Sequence, residues 1–354
     1  MSSRRPCVRV PLRMGEQVRR MLLDRGLLDT TYQIRSDGER LALPLSQSLS
    51  LPLLSSIVDV DELEIGEGEF LPVTSLHHSL EELLCDRLTP DELKLLPRAY
   101  DLVGDIAVLD IPATLATHER AIGQAFHKLH RHLSTVLVKR GAVSGTTRVR
   151  QYECLSGLDK TDTIHTEYGC RIAVDLAKAY FSPRLLEEHN RVAGLVQDDE
   201  TVLDMFTGVG PFALHIAKRT SATVYAVDIN PDAIALLVRS IGMNKLVGKI
   251  QPFVGDVREF VSTRICSRSV SRVIMNHPSQ AARFMGVACS ALQKNGVAHY
   301  YDFLPEHELE TTLEDRVLSL VSDTGRDVVE ISSVRKVRES APYEYQVVAD
   351  IVIR

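Results

Sequence analysis

Apolar and polar positions change their spacing several times along the chain, and each change predicts an element. The run CVRV opens strand-like, after which Val18, Met21, Leu22 and Leu27 fall at near-helical spacing. The Leu/Ser/Pro-rich residues 43–57 keep no period and read as a connection or an irregular edge of a small α/β module. Thr89 ahead of Pro90, Asp91 and Glu92 has the form of a helix start: a hydroxyl cap, proline in the first turn, acids at the positive end. Residues 102–111 read as an apolar strand punctuated by Gly104, and residues 116–132 as a helix. From about Thr163 the pattern alternates. Five short β-rich runs (TVLDMF, TVYAVD, KIQPFVGD, SRVIMNHP, GVAHYY) are separated by helical patterns that include residues 213–218, 233–244 and 281–293. Such alternation predicts parallel strands with right-handed crossovers and helices on both faces. DVVEISSVRKV and EYQVVADIVIR then read as two strands joined near Ala341-Pro342. The expected fold class is α/β: a Rossmann-like doubly wound sheet with a terminal antiparallel hairpin, preceded by two small α/β or α+β modules.

Composition narrows this picture. The 354 residues are 44% hydrophobic and 25% charged, room for two or three domains at roughly 150 residues each. A net charge of −6 excludes a globally basic nucleic-acid coat. Charge is uneven, however. Residues 119–150 carry seven Lys and Arg against the single acid Glu119, a window of net +6 that reads as a surface facing a polyanion. No run approaches the ~18 apolar residues of a membrane span, and no apolar stretch follows the early arginines as in a secretory signal. The six cysteines are scattered and never form Cys-x-x-Cys, the usage of reduced thiols. A cytoplasmic protein without membrane attachment is expected. His127, His130 and His132 are clustered, but only the first two share a helical face and no cysteine joins them, so they read as polar surface or RNA contact and no metal is expected.

Candidate chemistry gathers at strand ends. DMFTGVGPF, residues 204–212, follows the first run and opens a helix, and Gly208 and Gly210 let backbone approach a ligand there. The second run ends in Asp228, twenty residues beyond Gly208, where a carboxylate can accept both hydroxyls of a ribose. Gly208-x-Gly210-x-x-Ala213 also fits a relaxed dinucleotide fingerprint, with Asp228 on the ribose of NAD. Three features weigh towards S-adenosyl-L-methionine instead: the polar DMFT before the first glycine, Pro211 directly after Gly210, and the strand-end acid and amide at Asp256 and Asn276. Asp256 suits an adenine amine, and Asn276-His277-Pro278 puts an amide where chemistry would occur.

With these residues in view, the chain resembles the archaeal and eukaryotic tRNA (guanine-37, N1)-methyltransferase family. The resemblance covers nearly the whole chain: GEQVRRMLLDRGLLD, LVGDIAVLDIP, GTTRVRQYECLSG, TIHTEYGCRIAVDLAKAYFSPRLLEEHNR, then DMFTGVGPF, VDINPDAI, GDVREF, VIMNHP and VAHYYDF in that order. It implies a class I methyltransferase domain over residues 163–354, a tRNA-shape-recognition domain over 1–88 and a middle RNA-contacting domain over 89–162. It implies tRNA as partner, at the anticodon stem-loop and outer corner, a monomer without an obligate protein partner, and S-adenosyl-L-methionine as cofactor.

Roles follow from the same resemblance. Arg148 matches an arginine facing guanine O6, and Glu188, rather than Glu187, a general base. Arg148, Arg150, Tyr180 and Arg184 fall on the substrate side, Arg150 as a phosphate contact. His189, Asp204, Phe206, Gly208, Gly210, Asp228, Ile229, Asp256, Val257, Asn276 and Pro278 fall on the cofactor side, with Asn276 catalytic as well. His277 departs from the family's N-L-P or N-P-P pattern. The implied chemistry is methyl transfer to guanine N1 with loss of its proton to a carboxylate and stabilisation of charge on O6 by a guanidinium. Three other readings remain at this point: a wybutosine-pathway aminocarboxypropyl transferase, an NAD-dependent oxidoreductase, and a tRNA-binding protein without catalysis.

Overall fold

The computed structural model describes residues 2–50, 54, 62–72, 79–144, 149–306 and 311–354. Its contacts divide the chain into two compact units, Met1–Ser79 and Leu80–Arg354. In the first unit, four antiparallel strands run in the order Arg35–Asp37, Arg40–Pro44, Ser3–Pro11, Glu64–Phe70. The helix Gly15–Asp24 lays Val18 and Leu22 on Val8, Val10, Leu43 and Leu45, the near-helical spacing seen in the sequence. The aperiodic segment begins inside a strand. Leu43 and Pro44 pair with Val8 and Cys7, and alternation is lost because both faces of the strand are covered, Leu43 packing in the cluster of Val18 and Leu22 and Ala42 in that of Cys7 and Phe70.

The second unit carries a seven-stranded sheet in the order Lys249–Val254, Thr223–Asp228, Thr201–Asp204, Val270–Met275, Leu292–Pro305, Glu344–Ile353, Val328–Ala341. The first five are parallel and the last two antiparallel, the doubly wound sheet and hairpin expected from the pattern. Helices begin directly after the strand ends. Pro211–Arg219 starts at Gly210, whose φ of 78° is left-handed, with proline in the first turn. A Cβ on Gly210 would stand 2.3 Å from Leu237. Pro231–Met243 is capped by Asn230 and Val257–Arg264 by Asp256, each side chain accepting a backbone N–H. One face of the sheet packs on Val192, Leu214, Ile216 and Leu237, the other on Phe260, Met285, Val317 and Val321.

Residues 80–157 add a four-stranded sheet, order Tyr100–Val103, Ile106–Leu109, Thr135–Ser144, Val149–Gly157, with the helix Glu119–Leu129 against it. Two expectations change here. Residues 102–111 form a hairpin rather than one strand, because Gly104 adopts φ +57° and turns the chain. Residues 116–132 divide into a 3₁₀ turn, Ala113–His118, and an α-helix that stops at Leu129. Residues 281–293 likewise divide into Ala281–Phe284 and Met285–Ala291, and Leu292 already belongs to the next strand. Val103, Ile106, Val108 and Leu137 of this small sheet share one apolar core with Ile172, Val174 and Val202.

Candidate active site

The carboxyl ends of the parallel strands meet at a cleft of about 250 Å³. Asp228 ends its strand with both oxygens engaged: Gly208 N–H donates to Oδ2 at 2.8 Å and Asn230 N–H to Oδ1 at 2.9 Å. Gly208 makes that bond from φ +55°, a conformation that favours glycine. Burial raises the Asp228 carboxyl above its ordinary value. Asp204 lies behind the loop, fully buried, accepting from Thr207 Oγ1 at 2.7 Å. Burial, with a contribution from the Asp228 charge, pushes Asp204 up to about 7.

The cleft is lined by most of the residues expected on the cofactor side: His189, Phe206, Gly208, Asp228, Ile229, Asp256, Val257, Asn276 and Pro278. Asp204 and Gly210 are not in the lining; one supports the loop and the other starts the helix. Ile229 is 51% exposed, a large apolar side chain standing at the lip. Asp256 caps its helix and pairs with Arg258 at 2.5 Å, which holds its carboxyl below the ordinary value.

A second, polar cavity of about 410 Å³ adjoins the first and shares Tyr180, Phe181, Ser182, Phe303 and Arg338 with it. Arg150, Tyr180 and Arg184, the described residues that the resemblance puts on the substrate side, all line it. Arg184 is held by Asp101 at 2.6 Å, and Arg150 has a buried Nε without a hydrogen-bond partner among the described residues. The basic window is neutralised further by Asp101 and Glu153, acids outside it that its charge count leaves out. Arg140 is bound by Glu119 and Glu153, and Lys139 stands 3.3 Å from Asp101. Arg148 lies outside the described residues.

Glu188 has a different setting from the one its expected role suggests. It is 2% exposed and is in neither cavity's lining. Arg191 clasps it with two bonds, at 2.8 and 2.7 Å, and Tyr301 donates to Oε1 at 2.6 Å. Arg191 also bonds Asp350 at 2.6 Å, and His299 meets the same carboxylate at 2.5 Å. His299, Tyr300 and Tyr301 are thus core side chains. Glu187 is bound by the Tyr168 hydroxyl.

His189 lines the cleft and is 1% exposed. Its Nδ1 is 2.8 Å from Glu167 Oε2; His215 Nε2 lies 3.3 Å from the same oxygen and His165 Nε2 3.5 Å from Oε1. Glu167, His189 and His215 bring possible metal-ligand atoms within 4.8 Å of one another. The 2.8 Å separation is that of an N–H···O bond, and imidazole N–H groups offset the burial of Glu167, holding it well below the carboxylate range. Desolvation lowers His189, which favours the neutral ring. His127 bonds Ser156 and Leu133, while His130 stacks on Phe126.

Sequence reasoning missed Arg338 and Gln346, both on the terminal hairpin and both in the cleft wall. The available signal was Gln346, a lone amide inside the apolar run EYQVVADIVI; it is 1% exposed.

The chain matches the TRM5/TYW2 methyltransferase domain over residues 163–329, the TYW2 N-terminal domain over 80–161 and the tRNA methyltransferase 5 N-terminal domain over 7–50. It is 37% identical to tRNA (guanine(37)-N(1))-methyltransferase Trm5b of Pyrococcus abyssi, over 97% of both chains. The crystal structure of that protein superposes with a TM-score of 0.72, 36% identity and 99% of each chain covered. The solved complex of aTrm5 with tRNALeu gives a TM-score of 0.68 at 34% identity, covering 98% of this chain and 99% of that one. More distant is a tRNA(Phe) (4-demethylwyosine(37)-C(7)) aminocarboxypropyltransferase of Pyrococcus horikoshii, 29% identical over 77% of this chain and 95% of that one. Identity at this level over almost the full length places the chain in the TRM5/TYW2 family of S-adenosylmethionine-dependent methyltransferases.

Proposed function

We propose that the protein transfers a methyl group from S-adenosyl-L-methionine to N1 of guanosine 37 of tRNA, beside the anticodon, and so supports reading-frame maintenance. The observation that carries this reading is the near-full-length similarity to Trm5b, supported by a nucleoside-sized cleft that shares a wall with a cation-lined cavity.

The residues present fit the cofactor. The Asp228 oxygens each accept one backbone N–H, and their remaining lone pairs suit two ribose hydroxyls. Exposed Ile229 and the largely buried Val257, both in the cleft wall, offer apolar surface to a flat base, with Asp256 towards its amine once it turns from Arg258. The bound cofactor supplies an activated methyl group on a sulfonium. On the substrate side, Tyr180, Arg184 and Arg150 hold the nucleotide, and Arg148 stabilises charge on O6. Asn276 holds the base in line with the methyl group.

Glu188 is assigned the N1 proton in this reading, and its hydrogen bonds define the test. A base role requires Tyr301 and Arg191 to release the carboxylate when tRNA is seated. Glu188→Gln is then expected to lower kcat by about 10²–10⁴-fold with the melting temperature and cofactor affinity retained. A lowered melting temperature with kcat within threefold would instead make Glu188 solely a partner of Arg191.

Residues 1–88 are assigned to tRNA-shape recognition, 89–162 to RNA contact and 163–354 to catalysis, in a monomer acting in the cytoplasm. No helix among the described residues is long and apolar enough to cross a membrane. The match of residues 80–161 to the TYW2 N-terminal domain favours aminocarboxypropyl transfer as the second reading. Labelled-methyl transfer to G37 and A37 transcripts, with nucleoside analysis, separates the two. N1-methylguanosine from G37 alone supports the proposal, and an aminocarboxypropyl product overturns it.

A further inference from the structure

A chain of hydrogen bonds on the terminal hairpin fixes which end of the Asn276 amide is left for the substrate. It starts at a group that can only donate. Arg338 Nε donates to Gln346 Oε1 at 2.8 Å, and a guanidinium has no acceptor with which to reverse that bond. Gln346 must therefore turn its NH₂ the other way, and Nε2 donates to Asn276 Oδ1 at 2.8 Å. With Oδ1 committed to Gln346, Asn276 keeps its Nδ2 hydrogens for the cleft it lines. Amide orientations are ordinarily ambiguous, since O and N are nearly isosteric. Here the donor-only end of the chain removes the ambiguity.

Gln346 is 1% exposed, so its two bonds do not compete with bulk water. Arg338 is itself oriented: its Nη2 donates to the Tyr180 hydroxyl at 3.1 Å, and Nη1 lies 3.5 Å from Ser182 Oγ. Arg338, Tyr180 and Ser182 belong to the wall shared by the two cavities. The array therefore stands where cofactor and target base must meet.

We propose that Arg338 and Gln346 are positioning residues that hold Asn276 as a hydrogen-bond donor, and that this polarity selects guanine. The inference rests on the methyl-transfer reading above. Guanine presents an acceptor, O6, beside N1, and gathers negative charge on O6 as N1 loses its proton. A donor amide is favourable in the ground state and more so as that charge grows. Adenine presents an amino group at the same place, so two donors would face each other, an unpaired arrangement that a buried site tolerates poorly.

Gln346→Glu reverses the chain. A carboxylate at 346 still accepts from Arg338 but cannot donate to Asn276, so Asn276 turns its Nδ2 towards residue 346 and offers Oδ1 to the base. The experiment measures kcat and KM for G37 and A37 tRNA transcripts with wild type and Gln346→Glu, alongside S-adenosylhomocysteine binding. The expected result is a fall of ~10²-fold in kcat on G37, with cofactor affinity and tRNA KM within about threefold. The ratio of G37 to A37 activity should shrink by at least tenfold. Asn276→Asp, which supplies no donor to the cleft, is expected to lose G37 activity in the same way and serves if Gln346→Glu does not fold. Unchanged kcat and an unchanged G37:A37 ratio in a folded, cofactor-binding variant overturn the inference. A wild-type enzyme that makes no N1-methylguanosine on G37 overturns the underlying reading first, and this inference with it.

Discussion

The two adjoining cavities are built by opposite means. The cofactor cleft is shaped by backbone: strand ends, a glycine loop and caps deliver Gly208 N–H, Asn230 N–H and the Asp228 carboxylate to one place. The polar cavity is built from side chains of distant segments, Asp101 and Lys139, Arg150, Tyr180 to Arg184, Phe303, Arg338 to Ser340 and Glu344. A backbone-built site is set once the sheet forms. A side-chain-built site depends on ion pairs, such as Arg184 with Asp101, that a polyanion can displace. Under the proposed function, the contrast puts cofactor recognition on fixed geometry and substrate recognition on exchangeable charge.

The strongest test removes the carboxylate on which the cleft converges. Asp228→Ala should weaken S-adenosylhomocysteine binding by about 10²-fold or more in calorimetry, since charged hydrogen bonds are worth ~1.5–3 kcal/mol each. tRNA binding should stay near the wild-type value. Equal loss of both would mean that the two cavities are not energetically separate. Arg150→Ala or Arg184→Ala should do the reverse, raising tRNA KM by roughly tenfold and lowering the salt slope of binding by about one unit where a phosphate contact is lost. Cofactor binding unchanged in these variants would sharpen the division.

The smallest effect concerns stability. Asp204 is pushed up to about 7 in the folded protein, against about 3.9 in an unfolded chain. Its contribution is thus fully present below pH ~4 and is lost as pH rises through 7. Asp204→Asn keeps an acceptor for Thr207 and removes that loss. Thermal melts should match wild type near pH 4 and favour the variant by no more than about 4 kcal/mol at pH 8. Parallel melting curves across that range would place the Asp204 proton elsewhere.

Legibility in the sequence follows the same divide. Asp228, Asp256 and Asn276 could be placed at one cleft because each terminates or follows a strand whose period and glycine loop are local signals, whereas Ile229 and Val257 came only with the family resemblance. Arg338 and Gln346 were not, because sheet order rather than chain order brings residues near the end beside Asn276. The basic window misled in part for a related reason: Asp101 and Glu153, which pair with Lys139 and Arg140, lie outside it. Glu188 could be matched to a motif, but its enclosure by Arg191 and Tyr301 depends on a tyrosine more than a hundred positions away. The Gly104 hairpin was hidden by apolar residues on both sides of its turn.

The apolar core shared by the small sheet and the catalytic sheet has a mechanical consequence. Val103, Ile106, Val108 and Leu137 pack in one cluster with Ile172, Val174 and Val202, so the chain segments on either side of residue 162 are welded rather than hinged. A cut there would bare an oily seam, not free a module. The polar cavity rests on the same seam: Val103 and Val108 on one side of residue 162 and Leu176 and Phe181 on the other belong both to that core and to the cavity wall.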